Sequence, residues 1–140
     1  MKSLCLAFLL AWMVATTAHA RTCTPNDAEA ADAAVDHLDT WEAIDHNFRK
    51  FGHCDDGSIA EGNSEAVARL LVDKWKTLPQ LAALIKRHPT LKSYVLRHLD
   101  TTLNTDDLTR IVDLADSSCP QGQQPLCSSL KAAASKASKQ

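Results

Sequence analysis

Two cysteines, Cys23 and Cys54, bracket a run in which Ala28, Ala31, Val35, Leu38, Trp41, Ile44, Phe48 and Phe51 recur every three or four residues. That spacing lays them along one face of an amphipathic helix. Thr24-Pro25 suits its start and Gly52 its stop. A straight helix over 28–51 would span about 35 Å at 1.5 Å per residue. The flanking arms, five and three residues long, reach at most about 28 Å together. Cys23 and Cys54 can therefore join only if the helix breaks. Asp39-Thr40 is the expected place, because both residues prefer caps to helix interiors. Without a break, Cys23 must pair elsewhere.

Whether they pair matters because the chain reads as exported. Met1-Lys2 is a short basic start, the apolar run LCLAFLLAWMVA follows, and Ala18-His19-Ala20 is an A-x-A cleavage site. The run is shorter than the roughly 20 residues a bilayer span needs. Cys5 sits at the front of this run, not at the cut, so it is no lipid anchor. The expectation is a signal peptide over 1–20 and a soluble periplasmic chain over 21–140, long enough for one core and not two. That chain keeps Cys23, Cys54, Cys119 and Cys127, an even set that reads as disulfides in an exported protein. Cys119 and Cys127 flank a short Pro- and Gln-rich turn and can bridge locally; Cys23 and Cys54 then remain for each other. Charge is uneven: residues 21–64 hold ten acids and three bases, residues 65–140 seven acids and eleven bases. An acidic balance argues against nucleic acid as partner; the acidic half suits either a basic protein surface or a merely solvated face.

Further along, Val67, Leu70, Leu71, Trp75 and Leu78 mark a second helix, with Asn63 or Ser64 as its cap and a possible capping-box turn from Ser58 to Glu61. Pro79 opens a third, with Leu81, Leu84 and Ile85 facing in; Pro89 separates it from a fourth carrying Leu91, Tyr94, Val95 and Leu99. Asn104 or Thr105 caps a fifth, where Asp106 and Asp107 suit the positive end of the helix dipole. A last short helix carries Leu126 and Leu130, and the tail over 131–140 is expected to fray. No stretch alternates with period two. The expected fold is a small all-α, single-domain bundle of five to six helices held by disulfides.

The stretch CDDGSIAEGNS at 54–64 resembles a site, but no chemistry fits it well. An EF-hand frame with Gly57 at loop position 6 matches only Asp56, Gly57 and Ile59. Zinc lacks ligands at short spacing: there is no H-x-x-x-H, and His37 and His46 fall on opposite sides of a helix. A Cys–His nucleophile conflicts with an even cysteine count. Asp55 and Asp56 are adjacent and so point apart, which does not suit a carboxylate pair. No catalytic residue, metal or cofactor is assigned. His98 follows Tyr94 by four residues and Leu91 by seven, so it lies on a core face and is read as a buried residue holding a neighbouring loop; the alternative is a proton relay with Asp100. Trp41 and Trp75 read as packing.

Several segments resemble a known family, the periplasmic immunity proteins that neutralise type VI secretion amidase effectors. They are Cys54-Asp55-Asp56-Gly57 with Ala60-Glu61-Gly62, the run from Ser64 to Leu71, Trp75, the run from Tyr94 to Asp100 with Thr102, and the Cys119-Pro120 to Leu126-Cys127 ending. Residues 21–40 lie outside the resemblance. It implies a small, exported, helical, dimeric protein that blocks a peptidoglycan amidase by occupying its cleft. It makes the acids of 54–64 surface contacts or helix-entry caps. The candidate contacts fall in two loops: Asp55, Asp56, Glu61 and Asn63 in one, and Asp100, Thr101, Asn104, Asp106 and Asp107 in the other. The apolar face over 28–51, with its large Trp41, Phe48 and Phe51, supplies a second argument for a homodimer. A different periplasmic binding module, such as a lysozyme inhibitor or a virulence-associated adaptor, is the other reading.

Overall fold

Thr40 resolves the opening constraint. In the computed structural model, which describes residues 21–140, the first apolar run is two helices, α1 (Pro25–Val35) and α2 (Trp41–Phe51). Thr24 caps α1, its hydroxyl accepting from the Asp27 N–H, and Thr40 caps α2 by accepting from the Ala43 N–H at 3.1 Å. The turn over 36–40 folds the chain back, and a 3-10 turn, Gly52–Cys54, brings Cys54 to Cys23 with their Cα atoms 5.0 Å apart in a disulfide. The expected signal peptide over 1–20 lies outside the described residues.

The second helix starts earlier than the sequence implies. α3 runs from Gly57 to Asp73 and is capped by Asp56, whose carboxylate accepts from the Gly57 N–H at 2.8 Å. Gly57 takes φ +54°, a conformation that favours glycine. Asn63 and Ser64 are therefore buried mid-helix residues and not caps. A 3-10 turn, Trp75–Thr77, leads into α4 (Leu78–Arg87), with Pro79 in its first turn. α5 (Thr90–Arg97) follows Pro89. Asn104 caps α6 (Thr105–Ser117) by accepting from the Asp106 N–H at 2.8 Å. The Cys119–Cys127 disulfide closes the loop into α7 (Gln124–Ala137), which packs along α6. The splitting of the first run brings the described helices to seven, with no strand among the described residues. Over the tail expected to fray, α7 continues to Ala137, where Ala134 and Ala137 are buried and the alanines favour helix.

Among the described residues there are two apolar clusters. The main one gathers Trp41, Ile44, Leu70, Leu71, Leu81, Leu91, Tyr94, Leu108, Ile111 and Leu130. Both buried indoles find partners: Trp41 Nε1 donates to Thr77 Oγ1 at 2.9 Å and Trp75 Nε1 to the Ser118 carbonyl at 2.8 Å, as buried indoles require. The smaller cluster holds Ala31, Phe51, Cys54 and Ile59, with Cys23, Ala28, Ala34 and Val35 against it. It seats α1 on α3, and it does so closely: a Cβ at Gly62 would collide with the Val35 side chain. Trp41 and Phe51 are buried, and Phe48 stacks on Tyr94 with centroids 4.6 Å apart. The aromatic patch read as a dimer surface is thus covered by the chain's own helices.

Candidate functional site

The two loops that the sequence offers as separate contact regions share one polar network. At its centre is Asp55, between the 3-10 turn and α3, with a side chain only 4% exposed. Asn63 Nδ2 donates to Asp55 Oδ1 at 2.9 Å, and Arg97 Nε donates to Oδ2 at 3.2 Å with a second guanidinium contact beside it. His98 Nε2 lies 3.1 Å from the same oxygen. Burial pushes the Asp55 carboxyl up, but the hydrogen bonds from His98, Arg97 and Asn63 together outweigh it and hold it well below the usual carboxylate range.

The network continues in two directions. Because Asp55 can only accept, Asn63 must turn its amide nitrogen to it, and its oxygen then accepts from Asn47 Nδ2 at 3.1 Å on α2. The Asn47 amide oxygen is left buried without a partner. On the other side, His98 Nδ1 lies 2.9 Å from Ser64 Oγ, and Ser64 Oγ lies 2.9 Å from Asp100 Oδ2. Asp100 Oδ1 accepts from the Thr102 amide and hydroxyl, which turns the chain into the loop before α6. Burial raises the Asp100 carboxyl, and the Thr102 hydroxyl and amide, Ser64 and the charge of His98 bring it below its ordinary value. Tyr94 completes the wall, edge-on to the His98 ring at 4.4 Å and under the Arg97 guanidinium at 4.9 Å. Burial and then the Asp55 charge push its phenol up.

This arrangement places the expected contact residues in two groups. Asp55 and Asn63 spend their polar atoms inside the protein and have none to offer a partner. Asp100 is half-buried and bonded to Ser64 and Thr102. Asp56, Glu61, Thr101, Asn104 and Asp106 are exposed, and Asp107 is half-buried. An open cleft of about 550 Å³ runs beside the network between α5 and the end of α7, lined among others by Ser93, Arg97, Asp100, Thr101 and Lys136.

The line Ser64–His98–Asp55 has the residue types of a nucleophile, a base and an orienting acid. Its geometry does not suit acyl transfer. Ser64 is 1% exposed and held by the Ala60 carbonyl and Asp100 as well, so a substrate carbonyl cannot reach Oγ while the helices stay packed. No cluster of three or more His, Cys, Asp or Glu side chains able to hold a metal occurs among the described residues.

His98 was legible as a buried residue holding a loop, and it does hold one. Ser64, Asn47 and Arg97 were not read as part of a network. Two further pairs also escaped: His53 with Asp27 at 3.3 Å and His88 with Asp45 at 2.8 Å. Asp45 is 3% exposed. Its place beside Ile44, on the apolar face of α2, was the available signal. The chain matches no family model, no curated protein and no solved structure among known proteins.

Proposed function

We propose that this chain is an exported binding protein that neutralises a peptidoglycan amidase effector of a type VI secretion system, as its motif resemblance implies. The two disulfides, Cys23–Cys54 and Cys119–Cys127, suit an oxidising compartment outside the cytoplasm. No described helix is long and apolar enough to cross a membrane. The observation that carries a binding reading is the shared network. Asp55, His98, Ser64 and Asp100 tie the loop before α3 and the loop before α6 to one helix. Loops fixed before binding lose less entropy when a partner arrives. Exposed carboxylates at and just beyond the ends of these loops, Asp56 at the α3 cap, Glu61 within α3 and Asp106 in the first turn of α6, can face basic groups around an enzyme cleft.

The test is inhibition with purified protein over residues 21–140. Titrated against type VI amidase effectors digesting isolated sacculi, it should abolish fragment release from its cognate enzyme at a stoichiometric ratio and leave a lysozyme unaffected. Inhibition of the lysozyme and of no amidase would replace this reading with the lysozyme-inhibitor one.

A further inference from the structure

Ser64 has one proton and three neighbours that can take it: the Ala60 carbonyl at 3.0 Å, Asp100 Oδ2 at 2.9 Å and His98 Nδ1 at 2.9 Å. Carbonyl and carboxylate oxygens can only accept. Asp100 is ionised: burial raises its carboxyl, but the Thr102 hydroxyl and amide both donate to Oδ1, at 2.6 and 2.8 Å, and help hold it below the ordinary range. If Ser64 gave its proton to His98, the hydroxyl and the Asp100 carboxylate would face each other lone pair to lone pair at 2.9 Å. If Ser64 gives it to Asp100, sharing it with the Ala60 carbonyl, the contact with Nδ1 survives only when Nδ1 is itself a donor. Nε2 faces Asp55, which accepts from every other neighbour and must also accept here.

We infer that His98 carries hydrogens on both ring nitrogens and serves as a cationic clamp, donating to Asp55 on one side and through Ser64 to Asp100 on the other. The charged or titratable groups facing it are Asp55 from the loop before α3, Tyr94 and Arg97 from α5, and Asp100 beyond Ser64. With a charged ring, two carboxylates meet two cations. With a neutral ring, the nearly closed site holds an excess negative charge, which burial penalises. The clamp also gives one cause for the order of both loops, since a single ring spans them. It holds whether or not the partner is an amidase.

The experiment is nitrogen NMR of ring-labelled histidines in the 21–140 protein at neutral pH. The His98 signals are identified through the ring contact to Tyr94. Both nitrogens should resonate at protonated positions. In Asp100→Asn the demand on the Ser64 proton falls, so Nδ1 should move to the unprotonated position while Nε2 stays protonated. In Ser64→Ala, amide exchange in residues 55–57 and in 99–104 should quicken together, on the order of tenfold, the loss of one charge-assisted hydrogen bond. One unprotonated nitrogen in the natively folded wild type overturns the clamp. So does an Asp100→Asn variant with an unchanged His98 ring, or Ser64→Ala exchange that quickens in one loop alone.

Discussion

Asp55 accepts from Asn63, Arg97 and His98 and is nearly enclosed, so its charge is the most consequential single feature of the molecule. Its folded carboxyl lies below the unfolded value, as do those of Asp100 and Asp27; at Asp27 the His53 bond is the first cause. A depressed carboxyl favours the folded state above the ordinary value of about 3.9 and loses that contribution as pH falls below it. The protein should therefore hold its stability from neutrality to about pH 5 and lose it steeply further down. Asp55→Asn should cost about 2–4 kcal/mol at pH 7, because it leaves buried donors facing a weaker acceptor. The variant should also flatten the acid slope. Urea unfolding of both proteins at pH 7 and pH 3 checks this; equal losses on acidification would exclude Asp55 as a source of the slope. Little of this was legible in the sequence. Asn63 and Ser64 are residues that favour caps, and their partners lie at a distance: His98 is 34 residues from Ser64 and 43 from Asp55. Only packing puts those side chains together.

Among the elements, α1 is the least self-sufficient. Its one buried residue is Ala31, and the cluster that seats it depends on Cys23 and Cys54 themselves. The other helices bring leucines, aromatics or both into the main core. The Cys23–Cys54 disulfide closes 31 residues of separation, which the chain-entropy model values at about 3–4 kcal/mol. Replacing both cysteines by alanine should therefore release α1 while α2–α7 stay folded. Amide exchange over 25–35 should approach that of an open chain, and exchange in α6 and α7 should barely change. Uniform acceleration through every helix would show instead that α1 belongs to one cooperative unit with the rest. This element was half legible. The three-and-four spacing gave the apolar face, and the reach of the two arms required a break for the pairing to exist. Where the second helix begins was hidden by Gly57, Gly62 and Asn63, poor helix formers that this fold uses for an entry turn, a close approach to Val35 and a buried amide relay.

At the scale of the whole molecule, α2 turns Trp41 and Phe51 inward, so these two aromatics are not free to face a second copy. A homodimer now rests on the resemblance alone, and light scattering at tens of micromolar should give a mass near two chains; a mass near one removes it. The all-α bundle was legible from periodicity and from the absence of alternation. The shared origin of the two loops was not, since no local pattern marks the face on which they meet.

The exposed acids flanking the two loops yield the most direct test of recognition, because they can be neutralised without touching the network itself. Asp56 caps α3, and asparagine caps equally well, so Asp56→Asn keeps the helix start. Glu61 and Asp106 are exposed, and neither has an ion-pair partner among the described residues. Asp106 does sit in the first turn of α6, where losing its charge costs about 0.3–1 kcal/mol of helix-dipole stabilisation. The combined variant Asp56→Asn, Glu61→Gln, Asp106→Asn should thus melt within a few degrees of wild type. If these carboxylates steer a basic cleft onto the protein, association with the proposed amidase partner should slow by about tenfold at low salt. The two proteins should converge as salt rises, and dissociation should change little. A variant that melts normally and associates at the wild-type rate at every salt concentration would move the contact to the basic residues Lys86, Arg87 and Lys92 of α4 and α5. A variant that slows only in dissociation would keep the face but make these acids short-range contacts rather than steering charges.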